Sequence, residues 1–257
     1  MKIGFFDTGL GGLTILRAVR KRMPGYDYLF FGDTVNVPYG GKSEAEVFEL
    51  TKAGVIRLFK AGAAIVIVAC NTASAESVRK LQDSILEGVF RDRKILGVII
   101  PTIEELHAMG AEHALLIGTE RTVKSEKYTR ELLRIAPAVV LEARATPALV
   151  PLIESGEIDA AAHLVDDVLA HVKGRVDTLV LGCTHYTVLK ERLKKTHPQL
   201  RIISQDDVIP AKLEAYLKRH GEIERKLSRR GTITITESGA NLHVSDFKRK
   251  LLEELGE

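Results

Sequence analysis

Short apolar, β-branched runs recur along the chain and alternate with longer stretches in which apolar residues return every three or four positions. KIGFF, YLFFG, AIVIVAC, ILGVII, ALLIG, AVVLEA, TLVLGC, RIIS and TITIT read as strands. Between them, LGGLTILRAVRKRM, SEAEVFELTKAGVIRLFKAG, SAESVRKLQDSILEGVF and the stretch from Glu157 to Lys173 read as amphipathic helices, with Gly and Pro punctuating their ends. This alternation is the βαβ pattern, and it predicts an α/β chain on mostly parallel central sheets.

An internal echo sharpens the picture. AIVIVA runs into Cys70-Asn71-Thr72, and TLVLG, about 113 positions later, runs into Cys183-Thr184-His185. Upstream of each, another strand ends in a polar turn: FFDTGLGG before the first, ALLIGTERTV before the second. The chain therefore reads as two similar α/β halves. Ligands of open parallel sheets sit beyond the carboxyl ends of the strands, so all four turns point to sites of one kind. Facing halves would share one cleft.

Composition adds exclusions. At 257 residues, 45% of them apolar, the chain can bury a sizeable core. Its net charge of +3 is spread without a dense basic block, so nucleic acid is not an expected partner. The Arg-rich IERKLSRRG reads as a solvated helix face and loop. No apolar run reaches the roughly 18 residues of a membrane span, and the opening KIGFFD carries no signal-peptide pattern. The expectation is a cytoplasmic protein with no membrane partner.

Two cysteines in a reducing compartment argue against a structural disulfide, and they lack the close spacing of a zinc site. One cysteine at a strand end reads as a small buried hydrophobe; two in matching settings read as a functional pair. A free thiol with a pKa of about 8.5 is only about 3% thiolate at pH 7, so a base role needs help. A helix N-terminus after each strand is expected to lower the thiol pKa, with the small polar residues that follow as its caps. Asp7, Glu154 and His185 are candidate helpers, although Asp7 alone also reads as a loop or helix cap. The glycines of DTGLGGLT suggest a tight turn opening a helix whose free N–H groups hold a carboxylate or phosphate. Their spacing matches neither the dinucleotide fingerprint nor a P-loop, so a small carboxylate fits better. GDTVNVPYGGKS reads as a structured loop.

Taken in order, FFDTGLGGLTIL, GDTVNVPYG, VIVACNTASA, IGTERTVKSEKY, LVPLIESG and LVLGCTHY, with the tail TITITESGANLHVSDFKRKL, resemble glutamate racemase and the wider aspartate/glutamate racemase superfamily. The resemblance implies two pseudo-symmetric three-layer α/β domains with the active site in the cleft between them. Residues 1–98 plus 210–257 would form the first, carrying Asp7 and Cys70. Residues 99–209 would form the second, carrying Glu154, Cys183 and His185. It implies racemisation of free glutamate without pyridoxal phosphate, metal or nucleotide, supplying D-glutamate for peptidoglycan, in a family whose members commonly form homodimers. Cys70 and Cys183 would be the acid/base pair, with Asp7 assisting Cys70, and Glu154 and His185 assisting Cys183. Substrate contacts would fall to Asp7, Thr8, Pro38, Tyr39, Gly40, Asn71, Thr72, Thr119, Thr122, Thr184 and His185.

Inverting a stereocentre by proton transfer needs a base on one face and an acid on the other, which is a physical reason for two thiols. Two other readings stand beside this one: a racemase of another amino acid such as aspartate, and a binding or regulatory member of the superfamily. The chain departs from the family pattern at Thr8 (usually Ser), at Ile100-Pro101-Thr102 (usually Glu-Pro-Gly), at Thr187 (usually Pro) and near Ser204-Gln205-Asp206-Asp207. These changes bear on substrate preference and interface geometry more than on proton chemistry.

Overall fold

Strands that are apolar along their whole length must be covered on both faces, and the central strands here are: β1 (Lys2–Asp7), β2 (Tyr28–Gly32), β3 (Ala63–Val68), β5 (His113–Gly118) and β7 (Thr178–Gly182) are buried almost end to end. The edge strands β4 (Lys94–Gly97), β6 (Val140–Ala145), β8 (Arg201–Ile203) and β9 (Ile233–Glu237) are only partly covered. The structure is a computed structural model that describes residues 1–172, 174–239 and 253. The part of the tail used above for the resemblance that begins at Ala240 lies outside the described residues.

Helices alternate with these strands: α1 (Leu13–Arg22), α2 (Glu44–Lys60), α3 (Asn71–Ile85), α4 (Ile99–Ala108), α5 (Glu120–Lys124), α6 (Lys127–Ile135), α7 (Leu149–Glu154), α8 (Ile158–Ala170), α9 (Lys190–Thr196), α10 (Gln205–Arg219) and α11 (Gly221–Glu224). Two sheets result, ordered β4-β3-β1-β2-β9 and β6-β5-β7-β8, with every strand pair parallel. Reversed, the second reads β8-β7-β5-β6, the order of the first without its last strand. The echo in the sequence is thus an equivalence of topology, in which β1 matches β5 and the cysteine-bearing β3 matches β7. The late strand β9 returns to pair with β2, Ile233 opposite Tyr28.

Each sheet is the middle layer of three. On one face of the five-stranded sheet, Ile3, Phe5, Phe30 and Ile67 pack with Leu13, Leu16, Leu213 and Leu217 of α1 and α10. On the other, Phe6, Val66 and Val68 pack with Val55, Phe59 and Leu81 of α2 and α3. The four-stranded sheet is covered likewise by α7 and α8 on one side and by α4 and α6 on the other.

Two helix starts differ from the sequence reading. ILGVII is not one strand: β4 stops at Gly97 and α4 begins at Ile99, because Pro101 fits the first turn of a helix, where its missing N–H costs nothing. The helix expected from Ser74 begins at Asn71, because Cys70 Sγ itself caps it by accepting the Ala73 N–H at 3.5 Å.

One close approach sets the distance between α2 and the first sheet. A Cβ added at Gly54 would lie 2.2 Å from Cε2 of Phe6, a fully buried ring. Gly54→Ala is therefore expected to lose about 1–3 kcal/mol through overpacking, despite the gain of about 1 kcal/mol in helix propensity. Urea denaturation checks this; an equal or higher midpoint with unchanged slope would contradict it.

Candidate active site

The carboxyl end of β1 delivers Asp7, which has no solvent exposure. Its Oδ2 accepts the Gly12 N–H at 2.9 Å, while Oδ1 has no partner among the described residues. Gly12 makes that turn possible, since a Cβ there would sit 2.9 Å from both the Asp7 and the Ala69 Cβ. Burial pushes the Asp7 carboxyl above its ordinary value, against the opposing pull of the Gly12 N–H and the His185 charge. Cys70, two residues beyond β3, accepts hydrogen bonds from Thr8 Oγ1 at 3.4 Å and Ala73 N–H at 3.5 Å. The expectation that a helix N-terminus lowers this thiol is overturned. Burial, reinforced by the neighbouring Asp7 charge, pushes Cys70 up to about 12, and the bonds from Thr8 and Ala73 offset only part of that.

The second half builds a different setting around its cysteine. Cys183 follows β7 directly and enters a 3-10 turn, Thr184–Leu189, with no side-chain cap. His185 Nδ1 lies 3.8 Å from Cys183 Sγ, and its Nε2 lies 3.0 Å from Oε1 of Glu154, a half-exposed side chain at the end of α7. Burial alone would lower the His185 pKa, but its bonds to Cys183 and Glu154 outweigh this and raise it to about 10. Both ring nitrogens are then protonated and donate, one to the sulfur and one to the carboxylate. The same bond holds the Glu154 carboxyl below its ordinary value.

The two settings meet where the strand ends of the sheets converge. A Cβ at Gly11 would fall 2.4 Å from Thr184 Oγ1 and 3.1 Å from His185 Nδ1, so the loop after β1 abuts the turn after β7 with no room for a side chain. At Gly40 a Cβ would lie 3.0 Å from the Thr119 Cβ. Across the same junction, the hydroxyls of Thr72, Thr119 and Thr122 form a triangle with sides of 2.9, 3.2 and 3.0 Å. Cys70 and Cys183 are close enough that the charge on Cys183 bears on Cys70.

The structure thus gathers Asp7, Thr8, Cys70, Thr72, Thr119, Thr122, Glu154, Cys183, Thr184 and His185 around one junction. Tyr39 is buried with its hydroxyl donating to Asp33 Oδ2 at 2.6 Å, and Pro38 is exposed just before the 3-10 turn Tyr39–Gly41. Asn71 is buried and bonded to Tyr128 and Gln205. Thr187, one of the positions expected to depart from the resembled pattern, bonds its hydroxyl to the Thr184 carbonyl at 2.9 Å. The sequence reading missed the bond from Tyr128 to Asn71 and the close approach at Gly11. Their only sequence signals were the tyrosine in SEKYTREL and a glycine pair too short for a nucleotide loop.

Among the described residues no group of three or more His, Cys, Asp or Glu is arranged to hold a metal ion, and no helix is long and apolar enough to cross a membrane. A cavity of about 730 Å³, lined by residues that include Ile67, Ser74, Ile99, Lys127 and Tyr216, contains neither cysteine.

The sequence profile of the Asp/Glu/hydantoin racemase family matches residues 14–208. A glutamate racemase of Ruegeria sp. (strain TM1040) is 36% identical over 238 residues, covering 87% of each chain. Among solved structures, glutamate racemase from Thermus thermophilus in complex with beta-chloro-D-alanine superposes with a TM-score of 0.81 at 32% identity, covering all of this chain and 93% of the other. Glutamate racemase from Francisella tularensis in complex with D-glutamate shares the fold, with a TM-score of 0.86 at 23% identity over 98% of this chain and 93% of that one.

A buried carboxyl with a raised pKa stabilises the folded chain only while protonated. That contribution is complete below its ordinary value of 3.8 and is lost as pH rises through the raised value. Asp7→Asn keeps an acceptor for Gly12 and removes the charge. Its Tm is therefore expected to exceed the parent's at pH 7, with the gap closing toward pH 3.5. Melting curves across pH check this, and a variant less stable than the parent at pH 7 would contradict it.

Proposed function

The chain belongs to the Asp/Glu/hydantoin racemase family, with glutamate racemases among its relatives, and from that premise we propose that it interconverts L- and D-glutamate by proton transfer between Cys70, Cys183 and the α-carbon. The observation that carries the reading is the opposed setting of the two thiols. Cys183 has a protonated imidazole 3.8 Å away, whereas Cys70 is buried beside a carboxylate. An imidazolium favours a neighbouring anion and a carboxylate disfavours one, so the two settings suit Cys183 to start as the base and Cys70 as the acid.

The reaction follows from that assignment. Cys183, as thiolate, takes the α-proton from one face, and the electron pair left on the α-carbon is shared with the adjacent carboxylate. Cys70, as thiol, delivers its proton to the opposite face, which inverts the centre and leaves Cys183 protonated and Cys70 as thiolate. The reverse reaction runs with the roles exchanged, and it restores the resting pair. Thr8 Oγ1 and the Ala73 N–H, already bonded to Cys70 Sγ, stabilise the thiolate formed there. On the other side Glu154 holds His185 in place and charged. The unpartnered Asp7 Oδ1 is free to receive a donor from Cys70 or from the substrate ammonium. Thr8, Tyr39, Gly40, Asn71, Thr72, Thr119, Thr122, Thr184 and His185 bind the rest of the substrate, with Pro38 at its edge.

No cofactor enters this chemistry, because the two thiols supply both proton transfers. In this reading D-glutamate made in the cytoplasm supplies peptidoglycan synthesis, and the protein forms a homodimer.

Circular dichroism of purified protein with L- and D-forms of glutamate and aspartate tests the reading. Both glutamate enantiomers are expected to converge on the racemate while aspartate stays unchanged. Cys70→Ser and Cys183→Ser should each lose at least about 10²-fold in turnover, as expected for removing an acid/base group. Turnover of aspartate but not glutamate would overturn the substrate. Undiminished activity in either serine variant would overturn the two-cysteine mechanism.

A further inference from the structure

Asn71 opens α3 and stands next to the cysteine that caps that helix. Its amide is held from two sides by residues of other elements. The Tyr128 hydroxyl on α6 donates to Asn71 Oδ1 at 2.6 Å, and Asn71 Nδ2 donates to Oε1 of Gln205, the first residue of α10, at 3.2 Å. All three side chains are buried. Burial also pushes the Tyr128 phenol up, so it stays a donor across the working pH range.

An asparagine amide offers two N–H donors, and these bonds use one. The second N–H is not taken up by any of the described residues. The Tyr128 hydroxyl, by donating to Asn71 Oδ1, sets which way the amide faces and turns Nδ2 toward Gln205 Oε1, while the buried Gln205 Nε2 has no partner among the described residues. α6 follows β5 and α10 follows β8, which makes the pair a tie from the second half of the molecule onto the first turn of α3.

We propose that Tyr128 and Gln205 are positioning residues, which lock the Asn71 amide so that its remaining N–H meets a carboxylate of the substrate and sets how that substrate lies against Cys70. The inference rests on the reading that glutamate is racemised at this junction. It assigns to Gln205 a role that neither burial nor packing requires, since an apolar side chain of the same size would fill the space.

The test is a double-mutant cycle on steady-state constants for glutamate. Tyr128→Phe and Gln205→Met are each made in the parent and in an Asn71→Ala background, with melting curves confirming that each variant is folded at the assay temperature. In the parent background each is expected to raise KM by about 5- to 20-fold with kcat within about 3-fold. In the Asn71→Ala background each should change KM by less than about 2-fold, because the group through which it acts is gone. Equal losses in both backgrounds would show a merely structural role and overturn the proposal, as would a KM unmoved by both variants in the parent. If Tyr128→Phe fails to fold, Gln205→Met alone decides between these outcomes. A parent that does not turn over glutamate overturns the functional reading and this inference together, whereas an active parent with an unmoved KM overturns this inference alone.

Discussion

The loop after β1 has to pass between the two halves of the molecule at a place where there is no room for a side chain. Gly11 sits where a Cβ would meet Thr184 Oγ1 at 2.4 Å, and Gly12 sits where one would meet Asp7 and Ala69 at 2.9 Å. That steric constraint brings the two cysteine settings within electrostatic reach of each other. It also lets the Gly12 N–H reach the Asp7 carboxylate. Any side chain at Gly11 has to push the turn carrying Thr184 and His185 away from the strand end carrying Asp7, because the atoms in its path belong to a packed turn.

Within that junction the asymmetry matters more than the symmetry. The two halves repeat one strand order, yet the groups around their thiols carry opposite charges. His185 is held protonated between Cys183 and Glu154, and Asp7 is buried against Cys70 with one oxygen unpartnered. A buried polar atom without a partner costs on the order of 1–3 kcal/mol, and more when charged. Carrying that cost at Asp7 makes sense where a substrate supplies the missing donor, which is the usual relation between local instability and function.

The sheets were legible because parallel strands covered on both faces leave unbroken apolar runs, and each of the nine runs named from the sequence holds a strand among the described residues, ILGVII only in its first three residues. The equivalence of β3 with β7 was legible too, since both end in cysteine followed by small polar residues. The cap of α3 was not, because a thiol is not among the usual capping groups, and Asn71 and Thr72, the polar residues suited to cap it, lie inside the helix. The direction in which Cys70 is shifted depends on burial, which a helix start in the sequence does not reveal. Tyr128 and Gln205 reach Asn71 from 57 and 134 positions away, and no local pattern signals a contact of that kind. The hydroxyl triangle of Thr72, Thr119 and Thr122 came within reach of the sequence only through the family resemblance, for the same reason.

The central claim is that two different residues work on opposite faces of one α-carbon. Mass spectrometry of the separated enantiomers, after brief reaction of pure L-glutamate in D2O, tests it most directly. Two thiols that do not exchange protons with each other place solvent deuterium in the D-glutamate formed and leave the remaining L-glutamate unlabelled. Deuterium appearing equally early in the remaining L-glutamate, or D-glutamate formed with its original proton retained, would mean that one group serves both faces and would contradict the account.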